Sequence, residues 1–148
     1  MQESTGVIHE GGAQRYLAMG LRIVAIFAII TGLMDVVMGT GVLATLGSQI
    51  SSEAAADPAL DSQFRFLSAT WFGYGLALYW VARDIAARLP VLHILAAAMF
   101  VGGLGRLISI AVNGAPPPAM YLFLAIELAG PVAAVLLARR YATSRAAA

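Results

Sequence analysis

Cysteine and lysine are absent from this chain, and charge of either sign is scarce. Without cysteine, neither a disulfide framework nor a thiolate metal site can form. Charged residues are 11% of the 148, against about a quarter in an ordinary soluble domain, which excludes a typical soluble globule. A net charge of +1 leaves no electrostatic footprint for nucleic acid. GxSxG, HExxH, P-loop and CxxC patterns are all missing. The glycine-dense Gly102-Gly103-Leu104-Gly105 lies inside an apolar run, so it cannot be the strand-to-helix turn of a dinucleotide site and reads as close helix packing. No metal and no cofactor are expected.

What the chain has in excess is apolar surface, with 60% of its residues hydrophobic. Four runs, at about residues 21–46, 66–82, 89–112 and 119–138, each approach or exceed the roughly 17 to 25 residues that a helix needs to cross about 30 Å of hydrocarbon. They predict an all-α fold: an integral-membrane bundle of four transmembrane helices, forming one domain. Four buried helices of a soluble bundle would each need a polar stripe, and residues 66–82 have none. Pro90 opens the third run and Pro116, Pro117 and Pro118 precede the fourth, positions where a missing N–H costs little. Asn113-Gly114 reads as a left-handed cap. Residues 47–63, with Glu53, Asp57 and Asp61, read as a polar loop. A secretory signal peptide is not expected, because the first apolar run is too long and has no persuasive cleavage site.

Arginines set the expected orientation. Arg15 and Arg22 stand before or at the start of the first run, Arg83 and Arg88 between the second and third, and Arg139, Arg140 and Arg145 after the fourth. The other two connections hold only Arg65, at a helix start. The positive-inside rule then places both termini in the cytoplasm.

Ionisable residues within the runs are the natural place to look for function, since an unpaired charge in hydrocarbon costs several kcal/mol. At about 1.5 Å per residue from the outer boundary, Arg65 lies near the surface, Arg106 about 9 Å down, Glu127 about 13 Å and Asp35 about 16 Å. Two cations and two anions can neutralise one another, and Arg106 with Glu127, on consecutive helices, is the expected pair. Gly102, Arg106, Ser109 and Asn113 share one helical stripe, which should face the bundle. Ala69, Gly73 and Ala77, and likewise Ala125, Ala129 and Ala133, form small-xxx-small stripes suited to close helix approach. Gly130-Pro131 should kink the last helix below Glu127. Trp71 and Tyr74 are candidate pocket walls, and His93 is expected to be interfacial. Two readings of the cluster stay open: a salt-bridge network that fixes register, or a small polar cavity.

The run Gln63-Phe64-Arg65-Phe66, then Gly105-Arg106-Leu107-Ile108-Ser109 with Asn113-Gly114, then Ile126-Glu127-Leu128, resembles the bacterial four-helix membrane proteins of the family DUF4345, over about residues 60–131. The acidic residue that such proteins commonly carry just before the second-span arginine is replaced here by Gln63-Phe64. The resemblance implies a bacterial inner (cytoplasmic) membrane protein with Arg65, Arg106 and Glu127 as pattern positions, and supplies no activity. The expected function is binding of a membrane lipid or lipophilic, partly polar small molecule between the helices, by Arg65, Arg106, Ser109, Asn113, Trp71 and Tyr74. If the protein is an enzyme, Glu127 or Asp35 would transfer the proton in a cofactor-free isomerisation or cyclisation. The alternatives are a proton-coupled exporter working as a homodimer and a non-catalytic assembly subunit.

Overall fold

The computed structural model describes residues 4–146, and side chains over 15–140. Every regular element among them is a helix: α1 (Ser4–Met38), a single 3-10 turn (Gly39–Gly41), α2 (Val42–Thr45), α3 (Ser52–Ala55), α4 (Pro58–Val81), α5 (Leu89–Asn113) and α6 (Ala119–Ala146). The side chain of Arg145 lies outside the described ones. Three helical stretches are long and apolar enough to cross a membrane: Arg15–Thr45, Leu89–Asn113 and Ala119–Arg140, with mean hydropathies of 2.2, 1.9 and 2.1. The fourth long helix, α4, has the length but not the apolarity. Arg65, Ser68, Thr70 and the rings of Trp71, Tyr74, Tyr79 and Trp80 dilute its hydrophobic residues.

Local chemistry explains most helix ends. Pro90 sits in the first turn of α5, and Gly114 ends the helix at φ 90°, its N–H donating to the Ile110 carbonyl at 3.0 Å. Gly114 thus ends the helix with a positive φ as Asn113-Gly114 predicts, but its ψ of −168° is extended and not that of a left-handed helical cap. Two boundaries differ from expectation. Helix α4 starts at Pro58 rather than near residue 66, because Asp57 accepts the Leu60 N–H at 2.8 Å and Pro58 occupies the first turn; the expected loop therefore contributes two turns of helix. The first run is also not one helix to residue 46. It breaks at Gly39, whose φ of 61° takes the chain out of α1. A Cβ there would overlap the Asp61 carboxylate and the Arg65 guanidinium. Helix α6, by contrast, runs on through Pro131.

The four long helices form two antiparallel pairs, α1 with α4 and α5 with α6, which meet along α1–α6 and α4–α5. Close approach is made by glycines. A Cβ on Gly75 would lie 2.9 Å from the Ala25 carbonyl, one on Gly32 would lie 2.7 Å from the Phe72 nitrogen, and one on Gly103 would press on Leu128 and Glu127. The expected small-residue stripes are elsewhere. Ala69 and Gly73 are exposed, and so are Ala125, Ala129 and Ala133. Spacing alone marks a stripe without saying which way it faces. The packed core collects at the end of the molecule that carries Arg15, Arg83 and Arg139, around Leu17, Leu21, Ala25, Leu78, Val81, Leu92 and Ala138. Outward faces are apolar, with Val112 75% exposed, Val37 70% and Ile94 68%. A surface of this kind requires a non-aqueous neighbour, because soluble monomers keep contiguous apolar patches small.

Candidate functional site

Helices α5 and α6 bring the first charged pair together. Gly103 lets the two backbones close up, and one turn further along α5 the Arg106 Nε donates to Glu127 Oε2 at 2.6 Å. The expected pair is present. Arg106 is 40% exposed and Glu127 15%. The guanidinium also lies over the Phe123 ring, 5.8 Å from its centroid, and its Nη1 is 3.5 Å from the Met120 sulfur. No oxygen among the described residues accepts from its two Nη groups, so the arginine keeps donors in reserve. Pro131 lacks the N–H that would make the regular helical bond to the Glu127 carbonyl.

The second pair was not foreseen. Arg65 Nε donates to Asp61 Oδ2 at 2.7 Å, and Arg65 Nη1 donates to the carbonyls of Val36 and Val37 at 2.5 and 3.0 Å. Asp61 Oδ1 in turn accepts the Thr40 N–H at 3.0 Å, while the Thr40 hydroxyl donates to the Ala55 carbonyl at 2.6 Å. The arrangement caps the broken end of α1: a cation meets carbonyls of its last turn and an anion takes the Thr40 amide, the second beyond it. The hydrogen bond from Arg65, then that from the Thr40 amide, holds the Asp61 carboxyl below its ordinary value of 3.8. From sequence alone, Asp61 reads as part of a loop and Arg65 as one of four charges that neutralise one another across the bundle. The i, i+4 spacing of Asp61 and Arg65 was the available signal.

The remaining candidates separate. Asp35 is half-buried and has no hydrogen bond or ion pair among the described residues. Ser109 and Asn113 are exposed and bond each other, Asn113 Nδ2 donating to Ser109 Oγ at 3.4 Å. The inward stripe of α5 runs through Leu92, Ala96 and Gly103, with Arg106 at its half-buried end, and not through Gly102, Ser109 and Asn113. Trp71 and Tyr74 stack at 5.3 Å on the inner side of α4. Trp71 Nε1 donates to Thr31 Oγ1 at 3.0 Å and Tyr74 Oη to the Leu95 carbonyl at 3.3 Å, tying α4 to α1 and α5. His93 accepts from Arg139 Nε at 3.3 Å.

A cavity of about 500 Å³ opens between all four long helices, but not at the level of the charges. Its walls are apolar and include Leu21 and Val24 of α1, Tyr74 and Leu78 of α4, Leu92 and Met99 of α5, and Ile126, Pro131 and Ala134 of α6. Tyr74 is one of its walls, whereas Trp71, Asp35, Ser109, Arg106 and Glu127 are not, so this is not the polar pocket expected around the charges. Ile126, the neighbour of Glu127 in sequence, is one of its walls, so the ion pair stands beside the cavity without lining it. Among the described residues no three His, Asp or Glu side chains are grouped so as to hold a metal.

Residues 17–138 match the family described as a domain of unknown function, DUF4345. The chain belongs to this family. No curated protein and no solved structure matches it. DUF4345 membership spans everything just described, from Leu17 in the core to Ala138 beside it, including both ion pairs and the cavity.

Proposed function

We propose that this DUF4345 protein is a four-span protein of the bacterial inner membrane, with both termini cytoplasmic, that holds a lipophilic molecule bearing one polar group between its helices. The observation that carries the reading is the 500 Å³ apolar cavity walled by all four long helices, a volume in the range of small-molecule sites. The apolar body of the ligand would occupy the cavity. Its polar group would reach past Ile126 and Met99 to the spare donors of Arg106. Helix α4 is counted as a span because its outer surface is apolar at Phe66, Leu67 and Leu76 and because α1 packs along its length. Should the ligand be a substrate, Glu127 is the group beside its polar end that could move a proton, with Asp35 as the second carboxyl of the bundle.

The test fills the cavity. Ala134→Phe adds a ring to its wall, and Ala96→Phe does so from α5. Each variant is expected to keep the helical content and oligomeric size of the parent in detergent, and to lose the lipophilic species that the parent carries through purification, read by mass spectrometry of organic extracts. The same bound species in equal amount in both folded variants would show that the cavity is not the site.

A further inference from the structure

On the side of α1 away from the cavity, residues 15, 18, 19 and 22 form one face of the helix, and with Ala82, Arg83 and Ile85 after α4 they enclose a second pocket, of about 410 Å³. The charged residues among its described walls are Arg15, Arg22 and Arg83, and no acidic side chain among the described residues lines it. The nearest carboxylate in sequence, Asp84, is turned instead to the Ala87 N–H at 3.2 Å. Among the described residues none of the three arginines has a hydrogen bond or an ion pair. Three cations held around one hollow without a counter-charge repel one another, and an anion between them removes that cost. Guanidinium forks match the geometry of phosphoryl oxygens.

We propose that Arg15, Arg22 and Arg83 bind the phosphodiester headgroup of an anionic phospholipid at the end of the bundle that carries the termini. The pocket is also apolar, through Ala18, Met19 and Ile85, and it sits where α1 and α4 leave the apolar part of the molecule. A headgroup in it can therefore keep its acyl chains against exposed side chains such as Met19 and Ile23. A free phosphate would gain the guanidiniums but not that flank. The proposal rests on the membrane reading and is independent of the cavity between the helices.

Native mass spectrometry of the purified full chain, loaded with phosphatidylglycerol, tests it. Each arginine near a membrane surface contributes about fivefold to the affinity for an anionic lipid, so Arg83→Gln should weaken retention about fivefold and the triple change Arg15→Gln, Arg22→Gln, Arg83→Gln roughly a hundredfold. The comparison is Arg139→Gln, Arg140→Gln, Arg145→Gln, which removes equal charge from the same end and should leave retention nearly unchanged. Equal losses in the two triple variants would reduce the effect to general surface charge and overturn the site. Equal retention of phosphatidylcholine would overturn the anionic class. Displacement of the lipid by excess inorganic phosphate would overturn the lipid as the source of the phosphoryl group. Circular dichroism of each variant confirms the fold, and Arg83→Gln, an exposed single change, keeps the test open if a triple variant does not fold.

Discussion

Without the Glu127 carboxylate, the Arg106 guanidinium has no oxygen acceptor among the described residues, and half of that side chain is buried. Glu127→Gln is therefore expected to destabilise the protein by about 3 kcal/mol, as breaking buried pairs does elsewhere. Arg106→Leu with Glu127→Leu should recover much of that loss, since apolar replacement of both partners leaves nothing unpaired. Thermal unfolding in detergent reads both, and single variants that melt like the parent would mean that the pair does no structural work. The double variant also separates the roles: a pair that only fixes register can be replaced without losing the bound lipophile, whereas a polar anchor cannot. Asp61 gives the pH dependence. Its carboxyl titrates lower in the folded chain than its ordinary 3.8, so its stabilisation is fully present above that value and disappears as the pH falls below it toward the folded value. Melting temperatures taken from pH 6 downwards should fall for the parent below about pH 4, and Asp61→Asn should lack that component of the fall. The Arg106–Glu127 pair was legible from sequence because consecutive antiparallel helices bring residues of similar depth together. The Asp61–Arg65 pair was missed because the start of α4 was placed after Asp61.

At the scale of the helices, two glycines two residues apart make opposite demands. Gly75 faces α1, where any Cβ would meet the backbone of Ala25 and Ile29, while Gly73 has nothing within 4 Å. Gly75→Ala should force α1 and α4 apart and lower the melting temperature. Gly73→Ala should be neutral or raise stability by up to about 1 kcal/mol through helix propensity. Reversal of that order would mean that α4 presents a different face to α1. Apolar run length and the proline and glycine caps made α5 readable almost to the residue, and the start of α6 likewise. The inward faces were not readable. On a chain apolar all round, no polar stripe marks the outside, so small residues and charges repeat at helical spacing on faces that point to lipid as readily as to a neighbour. The break at Gly39 was hidden for a related reason, since its cause lies 22 and 26 residues away in Asp61 and Arg65.

Over the whole molecule the charges are arranged by end. Arg15, Arg22, Arg83, Arg88, Arg139 and Arg140 lie at the end where the core is packed, whereas the opposite end, with the α2–α3 segment and the turn after α5, has Arg65 already committed to Asp61. Arginine-rich segments resist translocation, so this asymmetry should hold the arginine-rich end in the cytoplasm. Single cysteines test it directly, because the chain has none of its own. Ser51→Cys and Ala115→Cys, both at exposed positions of the arginine-poor end, should react with a membrane-impermeant maleimide in intact cells. Ser144→Cys should react only after permeabilisation. Labelling of the three positions from the same side would mean an odd number of crossings between Ala115 and Ser144 is wrong and would return α6 to the membrane surface. Labelling of Ser144→Cys alone from outside would invert the molecule, placing the Arg15–Arg22–Arg83 pocket away from the anionic leaflet and the Arg106–Glu127 pair in the cytoplasmic half.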